Sequence, residues 1–410
     1  MQTDFKIQEL AKNNMRAIGI VAEYNPFHDG HKYQIETSAK SFLADVVVIA
    51  ISGNFVQRGE LAICDKWKRT EMALRNGADL VLEIPTQYCL NNAGIYARAG
   101  IEIFKSMGLI DAISFGSEIG DINLIKKASS LVNENKKEIN DIIKSLKNKG
   151  YSFPRARQLA FNRLSGDKRL ENVLNSANDT LGMEYLSVWK NRPALCIKRN
   201  KSSATEIRNL IKNGSYKCGT LPKSVEEILF RNISLSDYSN FLKKREKNLF
   251  EIARFEILKT EANMIDKSPQ GGEGLGNRLI KSAIKARTFD ELIELTKSKR
   301  YTYTRISRLI FQVLLGIDNF DYSNPDCIRV LGFNDKGREL LREMRNSKDY
   351  EDNEDSIKQN LDIVTNINKY NKKENFDFEI KATNLYNAIS DNNLEKEHEL
   401  RKQIVKIIDI

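Results

Sequence analysis

Two of the chain's three histidines fall within four residues, in the run His28-Asp29-Gly30-His31. That spacing suits a phosphate chain. If a helix begins here, its first backbone N–H groups are free and its N-terminus carries partial positive charge, which favours an anion. Imidazoles at i and i+3 share one face of the first turn and can donate hydrogen bonds to the same polyphosphate. Gly30 between them leaves room for a nucleotide to approach closely. The plainer alternative is a pair of surface histidines in a loop between strand and helix.

The flanking residues decide how such a pair would be held. Ala17 to Ala22 is a short apolar run with the length and β-branched content of a buried strand. Asn25 and Pro26 break it, because proline gives no donor to a ladder. A helical pattern follows from about Asp29 to Phe42. Strands are then expected at Asp45 to Ile51, Asp79 to Ile84 and Asp111 to Phe115, with helices at Asp65 to Asn76 and about Asn92 to Met107. Such alternation implies crossover units and a parallel sheet. Ligands of these sheets sit beyond the carboxyl ends of the strands. The loops Asn25–His31, Ser52–Gly59, Pro85–Asn92 and Gly116–Glu118 should therefore converge on one crevice.

Residues 121–190 read as mainly helical, and Ala194 to Lys198 as a last strand. A helix then runs from Ser203 to about Asn213, with Ser203 and Thr205 suited to its cap and first turn. Arg208 follows one turn later. Gly214 to Pro222 reads as a linker, and no convincing strand is expected beyond it. Ile306, Leu309, Ile310, Val313 and Leu314 give one buried stripe on a helix from Tyr303 to Leu315. From Ser347 onward, a polar composition suggests a peripheral helical tail.

A chain of 410 residues with 41% hydrophobic and 29% charged residues describes a globular protein of two or three domains. No apolar run is long enough to span a bilayer. Residues 1–14 lack the apolar core of a secretory signal and read as an N-terminal extension. Five scattered cysteines without a CxxC pair point to a reduced, cytoplasmic protein and away from zinc sites and disulfides. A net charge of +10 is compatible with a nucleic-acid partner. Lysine-rich composition accounts for it nearly as well.

The run GIVAEYNPFHDGH resembles the HxGH signature of nucleotidyltransferases with a Rossmann-like domain. Further motifs are similar to those of the tRNA(Met) cytidine acetate ligase family. They include Ser52-Gly-Asn-Phe-Val-Gln-Arg-Gly59, Asp65-Lys-Trp-Lys-Arg69, Asn76-Gly-Ala-Asp79, Glu83-Ile-Pro85 and Ser114-Phe-Gly-Ser117. So do Asn178-Asp-Thr-Leu-Gly-Met-Glu-Tyr185, Ile197-Lys-Arg199, Ser203-Ala-Thr-Glu-Ile-Arg208 and Lys299-Arg-Tyr-Thr-Tyr-Thr-Arg305. The resemblance implies an α/β fold: a Rossmann-like parallel-sheet nucleotidyltransferase domain over residues 15–220, then a mainly α-helical, tRNA-binding domain over 221–410. It also implies an ATP-dependent ligase that forms acetyl-adenylate from acetate and acetylates N4 of the wobble cytidine of elongator tRNA(Met). A small-metabolite adenylyltransferase, or a non-catalytic RNA-binding protein that keeps a nucleotide-binding scaffold, are the alternatives.

Carried over residue by residue, the ATP contacts fall on Val21, Ala22, Glu23, Tyr24, Asn25, Pro26, Phe27, His28, Asp29, Gly30, His31, Lys32, Tyr33 and Gln34. They continue at Gly116, Asn178 and Arg199, and the start of the Ser203, Thr205 and Arg208 helix would hold the triphosphate. His28 and His31 are the catalytic candidates, with Asp65 and Lys66, which could position acetate or a metal, or equally cap the helix and form a surface ion pair. Mg2+ is expected with the nucleotide, without ligands that the sequence names. In helical geometry Lys297, Tyr301, Arg305 and Arg308 would share a face, which with Lys299 and Arg300 makes an RNA-binding candidate. One departure stands out. Family members carry a Gly- and His-containing insert where this chain has only Asn200-Lys201-Ser202 before Ser203.

Overall fold

The computed structural model describes residues 15–199, 203–272, 274–318, 320, 322, 324–346 and 361–408. The expected extension at 1–14 and the loop Asn200-Lys201-Ser202 lie outside them. Five parallel strands form the frame: β1 (Ala17–Ala22), β2 (Val46–Ser52), β3 (Leu80–Ile84), β4 (Ala112–Ser117) and β5 (Ala194–Lys198). Their order across the sheet is β3-β2-β1-β4-β5. β2 reads VVVIAIS and is buried throughout, as a parallel strand covered on both faces must be. Its residues divide between two cores. Val48 and Ala50 meet α3 (Ala93–Met107) and α4 (Ala177–Trp189). Val47, Ile49 and Ile51 meet α1 (Asp29–Phe42), α2 (Lys66–Leu74) and α5 (Ala204–Lys212).

The chain runs outward from β1 to β2 and β3 on one side and from β4 to β5 on the other. The strand order therefore reverses between β1 and β4, and a crevice opens at their carboxyl ends. α1 starts from that crevice. Its far side is anchored by Ile35 and Phe42 in the core and by Ser38, whose hydroxyl lies 2.6 Å from that of Ser114 on β4.

Beyond residue 222 the chain is helical as expected only for part of its length. α6 (Leu235–Lys259), α7 (Phe289–Thr296) and α8 (Tyr303–Leu315) pack on a core that includes Phe55, Leu61 and Leu90. α8 buries its apolar stripe and also Ser307, Arg308, Phe311 and Gln312, so it is enclosed on all sides from Ile306 to Leu315. The expectation of no further strands is overturned by β6 (Cys327–Asn334), which pairs antiparallel with β3. β7 (Asp362–Val364) and β8 (Val405–Ile407) then pair parallel with β6. The physical reason is the exposed edge that β3 would otherwise present. The expected peripheral tail is corrected likewise. Residues 347–360 lie outside the described part, but α9 (Asp377–Ile389) packs against α6 and α8, with Ala382, Tyr386 and Ile389 in their core. Among the described residues no helix is long and apolar enough to cross a membrane.

Candidate active site

Three helix N-termini surround a cavity of about 290 Å³ at the reversal point between β1 and β4. α1 contributes Gly30 and His31, α4 contributes Ala177 and Asn178, and α5 contributes Ala204 and Thr205. Each helix is capped by a side chain that precedes it: His28, Ser176 and Ser203. Three converging positive helix ends make a seat for a polyanion.

The two histidines form a cap of unusual composition. His28 Nδ1 accepts from the backbone N–H of Gly30 at 3.1 Å, and His31 Nδ1 accepts from the backbone N–H of His28 at 3.2 Å. The rings stack with centroids 3.7 Å apart. Because each Nδ1 accepts, each neutral ring carries its proton on Nε2. Burial, then the nearby Arg199, lowers His28 to about 4. Burial also holds His31 well below its ordinary range, helped by His28 and Arg199. Both rings are thus neutral donors at physiological pH. His28 Nε2 is buried and has no protein partner, and neither does Asn25 Nδ2 in the same cavity wall. Two unmet buried polar groups there await a ligand.

The sign of the pH dependence follows. A folded state that keeps His28 neutral down to about 4, against an ordinary 6.5, is fully stabilised above pH 6.5 and loses that stability as pH falls towards 4. The loss should reach on the order of 3 kcal/mol for this group. Chemical unfolding between pH 7 and 4 measures it, and His28→Asn should flatten the slope.

Cationic and polar groups complete the wall. Arg199, at the end of β5, pairs with Glu118 at 3.1 Å, and Asn178 donates to the same carboxylate at 2.6 Å. Burial raises Glu118, but hydrogen bonds from Ser176 and Asn178 and the charge of Arg199 outweigh it and leave the carboxyl lowered. A Cβ on Gly116 would lie 3.3 Å from Arg199 Cγ, so the glycine makes room for that side chain. Arg208 donates to Asn25 O at 2.8 Å and to Glu60 at 2.9 Å. Behind the loop, buried Arg69 donates to Glu23 O at 2.7 Å, to Ser52 O at 3.0 Å and to Gly53 O. It clamps the ends of β1 and β2 together.

Of the nucleotide contacts expected from sequence, Val21 to Asn25, His28, Gly30, His31, Tyr33, Gln34, Gly116, Asn178, Arg199, Ser203, Thr205 and Arg208 line the cavity. Pro26, Phe27, Asp29 and Lys32 do not; Phe27 is buried against Tyr24 and His31 instead. Gln57, Arg58, Tyr96 and Tyr185 line it without having been singled out. For Gln57 and Arg58 the signal was present in the Ser52–Gly59 loop, which does reach the crevice. The Pro85–Asn92 loop does not line it and supports Gln57 from behind, with Asn91 O accepting from Gln57 Nε2 at 3.2 Å.

Residues 15–402 match the family model described as HIGH Nucleotidyl Transferase. A tRNA(Met) cytidine acetate ligase of Clostridium perfringens is 35% identical, covering 92% of this chain and 96% of its own. One of Thermoanaerobacter sp. is 34% identical over 91% and 95%. The chain belongs to the tRNA(Met) cytidine acetate ligase family. A crystal structure of Thermotoga maritima TmcAL bound with alpha-thio ATP superposes with a TM-score of 0.83 at 29% identity, covering 96% of this chain and all of that one.

Within this member of the ligase family, two sets of candidate residues are placed away from the cavity. Asp65 caps α2, accepting from the N–H of Lys68 at 2.9 Å. Lys66 is fully buried and turned from the crevice. Its ammonium lies 2.7 Å from Glu83 on β3 and 2.9 Å from Glu399 near the C-terminus. Burial alone would lower it, but Glu399 and Glu83 outweigh burial and hold it charged. Glu379 lies close to the pair, raised to about 7 by burial and by Glu83. The expectation that Lys66 positions acetate is therefore corrected, because its charge is consumed inside the protein.

The proposed RNA-binding face is also absent as drawn. α7 ends at Thr296 with Lys297 as its C-cap and α8 starts only at Tyr303, so residues 297–308 do not share one helix. Lys297 pairs with Glu294, and Lys299 is exposed. Arg300 is half-buried and donates to Lys147 O at 3.4 Å. Arg305 donates to Gln270 O and Gly271 O, with its guanidinium 4.9 Å from the Tyr301 ring. Arg308 is buried, donates to Gln57 O at 3.3 Å, and is lowered to about 10 by burial and then by Arg305. Together with Ser307, which donates to Gly59 O, it fastens the hairpin that carries Gln57 and Arg58. Replacing Arg308 would disturb the cavity wall before it tested any RNA contact.

Proposed function

We propose that this chain activates acetate with ATP and passes the acetyl group to N4 of the wobble cytidine of elongator tRNA(Met). The observation that carries the reading is the polyanion seat: two neutral imidazoles and three helix N-termini facing one cavity, in a member of the acetate ligase family. An acetate oxygen attacks the α-phosphorus, the bond to the bridging oxygen breaks, and pyrophosphate leaves. Charge that builds on the phosphates meets Nε2–H of His28 and His31, Arg199, Arg208 and the helix ends. Fixed donors of this kind supply most of the rate in phosphoryl-group chemistry. N4 then attacks the acetyl carbonyl, AMP departs with the electron pair, and one N4 proton is released to water.

Mg2+ is expected beside ATP on general chemical grounds. Among the described residues no group of three histidine, cysteine or acidic side chains is placed to hold a metal. Apart from Glu23, whose carboxyl burial raises, the cavity wall presents donors and cations, which suit the phosphates. Cytoplasmic placement is part of the proposal, supported by the five free cysteines. Acetate-dependent exchange of labelled pyrophosphate into ATP, without RNA, is the test. Exchange that required no acid, or none at all with acetate, would favour the small-metabolite or scaffold alternatives.

A further inference from the structure

A second cavity of about 330 Å³ adjoins the first, and α5 forms the wall between them. Thr205 and Arg208 line both. Arg208 faces each way: one guanidinium nitrogen donates to Asn25 O on the nucleotide side, the other to Glu60 on the second side. Buried Leu242, Leu249, Phe289 and Phe311 form the apolar floor of this second cavity. Tyr303 lines it too, its hydroxyl held by Asp290 Oδ1 at 2.7 Å. The carboxylates of Glu60 and Asp290 lie at its rim, beside the ion pair of Lys212 and Glu246 at 2.6 Å.

We propose that this second cavity receives the acceptor cytosine, unstacked from the RNA loop. The inference rests on the acetate-ligase reading and adds where the second substrate sits. A base taken out of a single-stranded loop is bound by stacking on aromatic side chains and by hydrogen bonds to its edge. The cavity offers both, with the half-buried Tyr303 ring over an apolar floor for the faces and the carboxylates of Glu60 and Asp290 for the edge. Aspartate and glutamate accept from the exocyclic N4 amine of cytosine. Uracil presents an oxygen at that position, which the same carboxylates would repel. Thr205 and Arg208 line both cavities, so N4 reaches the acyl-adenylate past these two side chains, a path that a remote RNA-binding face would not give.

The test uses the full chain and tRNA(Met). A transcript carrying 5-iodocytidine at the acceptor position should, on irradiation, cross-link to the peptide containing Phe289 or Tyr303. Asp290→Asn, an exposed position, and Leu242→Trp, which fills the cavity, should each lower acetyl transfer to tRNA by about tenfold to a hundredfold, the scale of a lost base contact. Acetate-dependent pyrophosphate exchange should stay within about twofold of the unaltered protein, since neither residue touches the nucleotide cavity. Cross-links that map elsewhere, or unchanged transfer in both variants, would overturn the proposal. So would equal losses of exchange and transfer in both. Absence of exchange in the unaltered protein would instead reject the acetate reading on which it rests.

Discussion

His28→Ala and His31→Ala should each lower the rate of acetate-dependent pyrophosphate exchange by about 10² to 10³, the cost of removing one transition-state donor. Each also removes one bond of the helix cap, since His31 accepts from the His28 N–H. His28 is the N-cap of α1, so its loss also leaves the Gly30 N–H without its acceptor and should cost about 0.5–2 kcal/mol of stability. His28→Asn separates the effects. Asparagine is a good cap but cannot place a donor where Nε2 stands, so stability should be largely restored while activity stays low. Recovery of activity with the cap would mean that the imidazole serves the helix and not the phosphates.

Lys66→Ala should destabilise the protein by about 3–5 kcal/mol, the range for breaking a buried ion pair on one side. Glu83 and Glu399 would then face each other in a dry interior without the ammonium between them. Arg329 is close to Glu399, at 3.9 Å, but it does not replace the contact to Glu83 that Lys66 makes at 2.7 Å. Equilibrium unfolding in urea gives the loss directly. A stable Lys66→Ala variant with lost exchange activity would restore this lysine to the catalytic candidates and contradict its structural assignment.

The difference between these two sites shows what could be read from sequence. β1 and α1 occupy the spans expected from apolar runs, a proline break and helical spacing, all within 26 neighbouring positions. The phosphate-binding character of His28 and His31 was legible for the same reason, since their spacing and their place at a helix start are local facts. Lys66 was not, because the partners that consume its charge lie 17 and 333 positions away, at Glu83 and Glu399. The places of Arg305 and Arg308 are hidden from the sequence for a related cause. Residues 297–302 break between helices, and tertiary contacts with Gln270, Gly271 and Gln57 decide where the guanidinium groups go. β6 carries Ile328, Val330, Leu331 and Phe333, interrupted by Arg329, but nothing local says that it returns to pair with β3. Long-range pairing of this kind leaves no periodicity in either segment.

The most direct measurement combines the purified chain with ATP, carbon-labelled acetate and total tRNA, followed by digestion to nucleosides. Label is expected in N4-acetylcytidine derived from elongator tRNA(Met), dependent on ATP and lost in His28→Asn. ATP consumed without labelled nucleoside, or label in any nucleoside other than acetylated cytidine, would contradict it.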